Sequence, residues 1–155
     1  MINNHILRSL RFTLDLKDEK AAEIFALGGM ELEMSEVHSL LKKETEEGYQ
    51  ECPEDELRAF LDGLILYKRG PAPEKAEPPA IQKLDNNLIL KKIRVALELK
   101  EEDLIEALSI AGIEISGNEL RAFFRKPGHR NYRECRDQFL RNFLAGLSKK
   151  MRGRE

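Results

Sequence analysis

The chain is 155 residues long, 41% hydrophobic and 35% charged, with 26 basic against 28 acidic side chains and a formal net charge of −2. That length suits one mid-sized domain or two small ones. A charged share well above the usual ~25%, and no apolar run near the ~18 residues of a spanning helix, exclude membrane-spanning and fibrous classes.

Leucines recur from the start at three- and four-residue spacing, which is the helical period. The opening stretch MINNHILRSLRF carries Arg8 and Arg11 where an export signal needs an unbroken apolar core, so a cytoplasmic location is expected. A first helix is predicted over Asn4–Leu14, with Asn4 as its N-cap and Leu7, Leu10 and Leu14 on one stripe. A second starts near Asp18, presents Ala21, Ala22 and Phe25, and stops at Gly29. The third opens at Ser35 and buries Val37, Leu40 and Leu41. The fourth takes Pro53 in its first turn and carries Leu57, Phe60, Leu61 and Leu64 at i, i+3, i+4, i+7.

Pro71–Asp85, reading PAPEKAEPPAIQKLD, holds four of the six prolines and is predicted to be an extended, semi-rigid linker spanning up to about 45 Å at ~3.1 Å per residue. Beyond it the chain repeats. Asn3–Gly70 aligns with Asn86–Gly153 at a constant offset of 83, with 25 identities in 68 gapless positions. The four helices recur: Asn87, Leu90, Ile93 and Leu97; then Leu104, Ile105 and Leu108 from Glu101 to Gly112; then Leu120, Phe123 and Phe124 after Asn118; then Leu140, Phe143, Leu144 and Leu147. Only the tripeptides ELE and IEI could form short strands.

The expected architecture is all-α: residues 1–70 and 86–155 form two sequence-related four-helix units, packed together and joined by the Pro-rich linker 71–85. A unit of 68 residues alone would bury only about 60% of its unfolded surface, so the copies should share one core, related by a pseudo-twofold axis. Gly63 and Gly146 interrupt the fourth helices at about 1 kcal/mol relative to alanine, which predicts close approach of another helix there, with a ligand lying against the bare backbone as the alternative.

Catalytic signatures are missing from the sequence: there is no GxGxxG, P-loop, GxSxG or HExxH. No enzyme activity, metal or cofactor is expected. Cys52 and Cys135 occupy equivalent positions and read as small buried residues. The less favoured readings are a reactive thiol paired with His129 or a disulfide, which a reducing cytoplasm opposes. Tyr49 and Tyr132 precede them by three residues and read as packed aromatics with bonded hydroxyls. The carboxylate run from Glu44 to Glu56 reads as a solvated face. A helix-turn-helix is opposed by the connection Ala111–Gly117, about seven residues where three or four are usual.

Charge is distributed unevenly. Met1–Gly70 holds 9 basic and 15 acidic residues (−6), Pro71–Asp85 holds 2 and 3 (−1), and Asn86–Glu155 holds 15 and 10 (+5). From Arg121 to Glu155 there are 11 basic residues against Glu134, Asp137 and Glu155, a local +8. Opposite charges on the copies could assist docking, within the chain or as a homodimer. Alternatively, Arg125, Lys126, Arg130, Arg133 and Arg136, with Tyr132 available to stack, form an anion-binding patch for weak, sequence-independent nucleic-acid binding.

With its repeat, NNHILRSLRFTLDL, ALGGMELEMSEVHSLLKKETEEGYQEC and FLDGLILYKRG in the first copy, and LKKIRVALELK and NYRECRDQFLRNFLAGL in the second, the chain resembles the YehS-like bacterial proteins, a tandem-repeat family of unknown function. The resemblance implies a cytoplasmic, largely helical protein of two related units, and carries over no catalytic residue or ligand. The expected function is a non-catalytic binding or adaptor module with an unidentified protein partner and no membrane; the alternative is polyanion binding through the basic second copy.

Overall fold

The computed structural model describes residues 2–71 and 83–153. Most of the predicted linker, residues 72–82, lies outside the described residues. The helices are α1 (Asn3–Thr13), α2 (Asp18–Leu27), α3 (Met34–Leu41), α4 (Glu54–Arg69), α5 (Asn86–Ala96), α6 (Glu101–Ile110), α7 (Gly117–Ala122) and α8 (Asp137–Arg152). The fold is all-α, and α1–α4 recur as α5–α8 at the offset of 83. Among the described residues there is no strand: ELE and IEI are irregular connectors. No described helix is long and apolar enough to cross a membrane.

Four helices, α1, α4, α5 and α8, run parallel. At one end the Asn3 amide donates to the Cys52 carbonyl just ahead of α4 (3.0 Å), Leu84 N–H donates to Glu54 (3.4 Å), and Asn86 donates to Asp137 (2.6 Å). Their starts therefore converge. At the other end Arg69 reaches the Val95 carbonyl and Glu98, while Arg152 reaches the Phe12 carbonyl and Asp15. Parallel packing places like helix-dipole ends together, and the side chains offset this. Glu54, Asp55, Glu56 and Asp137 occupy first turns, and Lys68, Arg69, Lys149, Lys150 and Arg152 occupy last turns.

The copies interlock through this quartet. Between the copies, helix α1 packs on α8 and α4 on α5, so the two principal inter-copy contacts exchange under the pseudo-twofold. Leu7 and Leu10 of α1, Leu61 and Leu64 of α4, Leu90 and Ile93 of α5, and Leu144 and Leu147 of α8 join one continuous core. Each fully buried side chain of this size contributes roughly 1.5–3 kcal/mol. One eight-helix body is what the 68-residue unit was expected to need. Across the interface Lys92 also pairs with Asp62 (2.5 Å). Within the strongly basic segment only Arg152 pairs across the copies, among the described residues. Among the described residues, no cation of the run 121–136 forms an ion pair with the first copy.

Helices α2 and α6 back the quartet against α4 and α8. A Cβ on Gly63 would lie 1.8 Å from the Ile24 carbonyl oxygen, and one on Gly146 would lie 1.8 Å from that of Ala107. The predicted close approach is backbone against backbone. Helices α1 and α5 end by turning Asp15 and Glu98 left-handed, both at φ 53°, so that Leu16 N–H reaches back to Arg11 and Leu99 N–H to Arg94. These two strained positions receive the Arg152 and Arg69 guanidinium groups of the opposite copy.

Four predicted caps differ. Asn4 does not cap α1: Ile2 precedes it, and the Asn4 side chain turns inward and is 2% exposed. Asp85, not Asn87, caps α5, accepting from Leu88 N–H at 2.9 Å. The third helices start earlier than Ser35 and Asn118. Glu33 precedes α3, with Glu36 accepting its N–H, and Ser116 caps α7 in a reciprocal pair with Glu119 (3.0 and 3.1 Å).

Candidate anion-binding groove

One buried asparagine per copy organises the loop ahead of the last helix. In the second copy the Asn87 amide nitrogen donates to the carbonyls of Phe123 (2.9 Å) and Arg133 (2.8 Å), and its oxygen accepts from Cys135 N–H (2.8 Å). Arg133 N–H returns to the Ala122 carbonyl at 3.0 Å. Helix α5 thus grips both limbs of the 123–136 loop. Helix α7 stops at Ala122 with two tightened turns, Phe123 N–H to Leu120 and Phe124 N–H to Arg121. Pro127 then disfavours helical backbone at Lys126.

Between this loop and α5 opens a groove of about 490 Å³, within the usual range for ligand sites. Phe124 and Tyr132 form aromatic walls, Lys83, Lys91, Arg125 and Lys126 supply cations, and Asn87 lies in the floor. Phe124 is braced from behind by the Arg94 guanidinium, 4.7 Å from its ring centre. The carboxylate lining the groove is Asp85, which is engaged in capping α5. Among the described residues, none of the four cations has an ion pair or hydrogen bond through its side chain. Burial, followed by Asp85 and Glu134, raises the Tyr132 hydroxyl pKa, so it stays protonated at neutral pH.

Of the residues expected from sequence, Arg125, Lys126 and Tyr132 come together here. Arg133 stacks over Phe123 at 5.2 Å. Arg130 lies exposed on the loop, and Arg136 immediately precedes α8; neither lines the groove. Sequence reasoning missed Lys83, Lys91 and Phe124. Lys91 stands one helical turn beyond Asn87, a spacing that points to the groove once Asn87 is known to hold the loop.

The first copy repeats the scaffold with different surroundings. Asn4 donates to the carbonyls of Leu40 and Gln50 (both 2.9 Å), and its oxygen accepts from Cys52 N–H (2.9 Å) and from the Tyr49 hydroxyl (3.1 Å). Arg8, the counterpart of Lys91, donates to the Lys42 carbonyl (3.0 Å), and Lys42, the counterpart of Arg125, donates to that of Glu47 (2.8 Å). Their charges are used inside the loop. Its rim is acidic, with Glu44, Glu46, Glu47 and Glu51 exposed.

Both cysteines are buried and free, and burial, aided by neighbouring carboxylates, raises each thiol to about 12. Such a thiol is not a nucleophile at neutral pH. His129 is exposed, and its Nδ1 accepts from Asn131 N–H, so the reading of a Cys135–His129 pair gains no support. The connection between α6 and α7 runs through Ala111–Ser116, longer than a helix-turn-helix turn.

The family model described as "Protein of unknown function (DUF1456)" matches residues 3–70 and again 86–153. The chain is also similar to "Uncharacterized protein YehS" of Escherichia coli (strain K12), at 42% identity over 151 residues, covering 96% of this chain and 95% of that protein. No solved structure matches.

Proposed function

Because the chain belongs to the DUF1456 family, which is described as of unknown function, we propose from the groove a non-catalytic cytoplasmic binding module that holds a phosphate-bearing polyanion, nucleic acid, without sequence preference. The observation that carries this reading is the convergence of Lys83, Lys91, Arg125 and Lys126 on one groove, with no ion pair among the described residues to spend them. Cations left unpaired beside aromatic faces suit a phosphate backbone. Raised thiols and solvated carboxylates support a binding role over a catalytic one.

Fluorescence anisotropy with a labelled single-stranded RNA of about twelve nucleotides tests it. Neutralising about four phosphates predicts a slope near −2.8 in log K against log[salt], at ~0.7 per phosphate on a single strand. Lys91→Glu with Arg125→Glu, melting unchanged, should abolish binding. No binding at ~50 mM salt, or binding indifferent to that double variant, would overturn the reading. An acidic peptide bound in place of RNA would assign the groove to a protein partner.

A further inference from the structure

The two copies differ at one atom of the asparagine hub. In the first, Asn4 Oδ1 accepts two hydrogen bonds, from Cys52 N–H and from the Tyr49 hydroxyl. In the second, Asn87 Oδ1 accepts from Cys135 N–H, and the Tyr132 hydroxyl has no hydrogen-bond partner among the described residues. Tyr132 and Asn87 instead both line the groove. Exposure agrees: Asn4 is 2% accessible and Asn87 is 9%. A carbonyl oxygen has two acceptor positions, and a buried one left half-used favours a ligand donor. The groove floor therefore offers one acceptor, next to a free tyrosine face, with cations above.

We propose that the groove takes unpaired nucleobases: a base stacks on Tyr132 and donates an N–H to Asn87 Oδ1, while its flanking phosphates meet Lys91 and Arg125. This rests on the polyanion reading and narrows it to single strands. Every base carries an N–H on its pairing edge and a π face, so the mode is sequence-tolerant. In a duplex the edge donors are paired and the faces stacked, so neither feature of the groove can be used.

The test compares three probes on the full chain at one salt concentration: an oligouridylate, the same strand built from N3-methyluridine, and an RNA duplex of equal length. The oligouridylate should bind at least about tenfold more tightly than the duplex. N3-methylation, which replaces the edge N–H of the base with a methyl group, should weaken binding at least about threefold. Tyr132→Leu should cost the single strand about fivefold or more and leave duplex binding unchanged, while Tyr132→Phe keeps the ring and the affinity. Equal affinity for duplex and single strand, or indifference to both Tyr132→Leu and N3-methylation while the Lys91→Glu, Arg125→Glu variant still fails to bind, would sink the unpaired-base proposal and leave the polyanion reading standing. Failure of all three probes would end both.

Discussion

The loop from Lys42 to Pro53 and the loop from Arg125 to Arg136 hang from the same asparagine, close on the same cysteine and carry the same tyrosine, yet they present opposite surfaces. In the first, cations turn back onto backbone carbonyls, the tyrosine hydroxyl is tied to Asn4, and glutamates face solvent. In the second, cations line a groove, and the tyrosine hydroxyl has no hydrogen-bond partner among the described residues. The buried scaffold that joins the copies is duplicated nearly intact, and the differences sit where substitutions leave the core alone. A duplicated fold can thus keep one buried scaffold while the surfaces it carries diverge.

If the scaffold is common to both copies, damage to it should cost the same in either. Gly63→Ala and Gly146→Ala each drive a methyl into a carbonyl 1.8 Å away on a packed helix. Each should destabilise by at least ~3 kcal/mol, at the top of the overpacking range, because the obstacle is backbone. Urea melts check this, and a loss below ~1 kcal/mol in either copy would show that the helices can part cheaply. Asn4→Ala at about 3 kcal/mol and Asn87→Ala at about 2 kcal/mol come next, since each strands buried carbonyls and a cysteine N–H. Asn4→Ala should be the costlier by about 1 kcal/mol, because it also releases the Tyr49 hydroxyl.

Periodicity made the helices legible, and Gly63 and Gly146 pointed to close approach of another helix, which the structure shows to be α2 on α4 and α6 on α8. The repeat made one shared core legible through the smallness of its unit. The hub was not legible. An asparagine ahead of an apolar run is the expected N-cap, and only the tertiary position of the following loop shows that Asn4 and Asn87 bond inward instead. The groove was legible in half. A run of basic residues locates charge along the chain, but Arg130 and Arg136 turn outward while Lys91 arrives from a helix about thirty-five residues earlier, positioned by the asparagine that was misread.

Two smaller substitutions sharpen the contrast. Thr13 is 4% exposed, and among the described residues its buried hydroxyl has no partner; Ala96 occupies the equivalent place. Thr13→Ala should stabilise by about 1 kcal/mol, by removing an unsatisfied buried group at the cost of one methyl. A lower melting temperature would mean that the methyl's packing outweighs the hydroxyl. Tyr49→Phe should cost about 1 kcal/mol through its lost bond to Asn4, whereas Tyr132→Phe should change stability by less than ~0.5 kcal/mol. Equal losses would show that both hydroxyls are tied in solution, closing the acceptor position on Asn87.

The least effect is expected at His5, where the second copy has Leu88. Burial lowers the His5 pKa first, and Arg141 of α8 and Arg8 of α1 lower it further. A histidine depressed in the folded state binds its proton more readily when unfolded, so acidification favours unfolding: stability is full above the unfolded value of about 6.5 and declines as pH falls through it. His5 is only partly buried, so the slope will be shallow. His5→Leu, copying the second unit, should flatten the dependence of melting temperature on pH between about 7 and 5.5 while leaving the value at pH 8 nearly unchanged. A wild-type curve already flat in that window, or a variant as steep as wild type, would show that His5 does not set the dependence. Glu56 is shifted as well, since burial and the neighbouring Asp55 and Glu36 raise its pKa. That group titrates in the opposite sense: a carboxyl raised in the folded state adds stability as pH falls, so the two contributions can be separated by the direction of the slope.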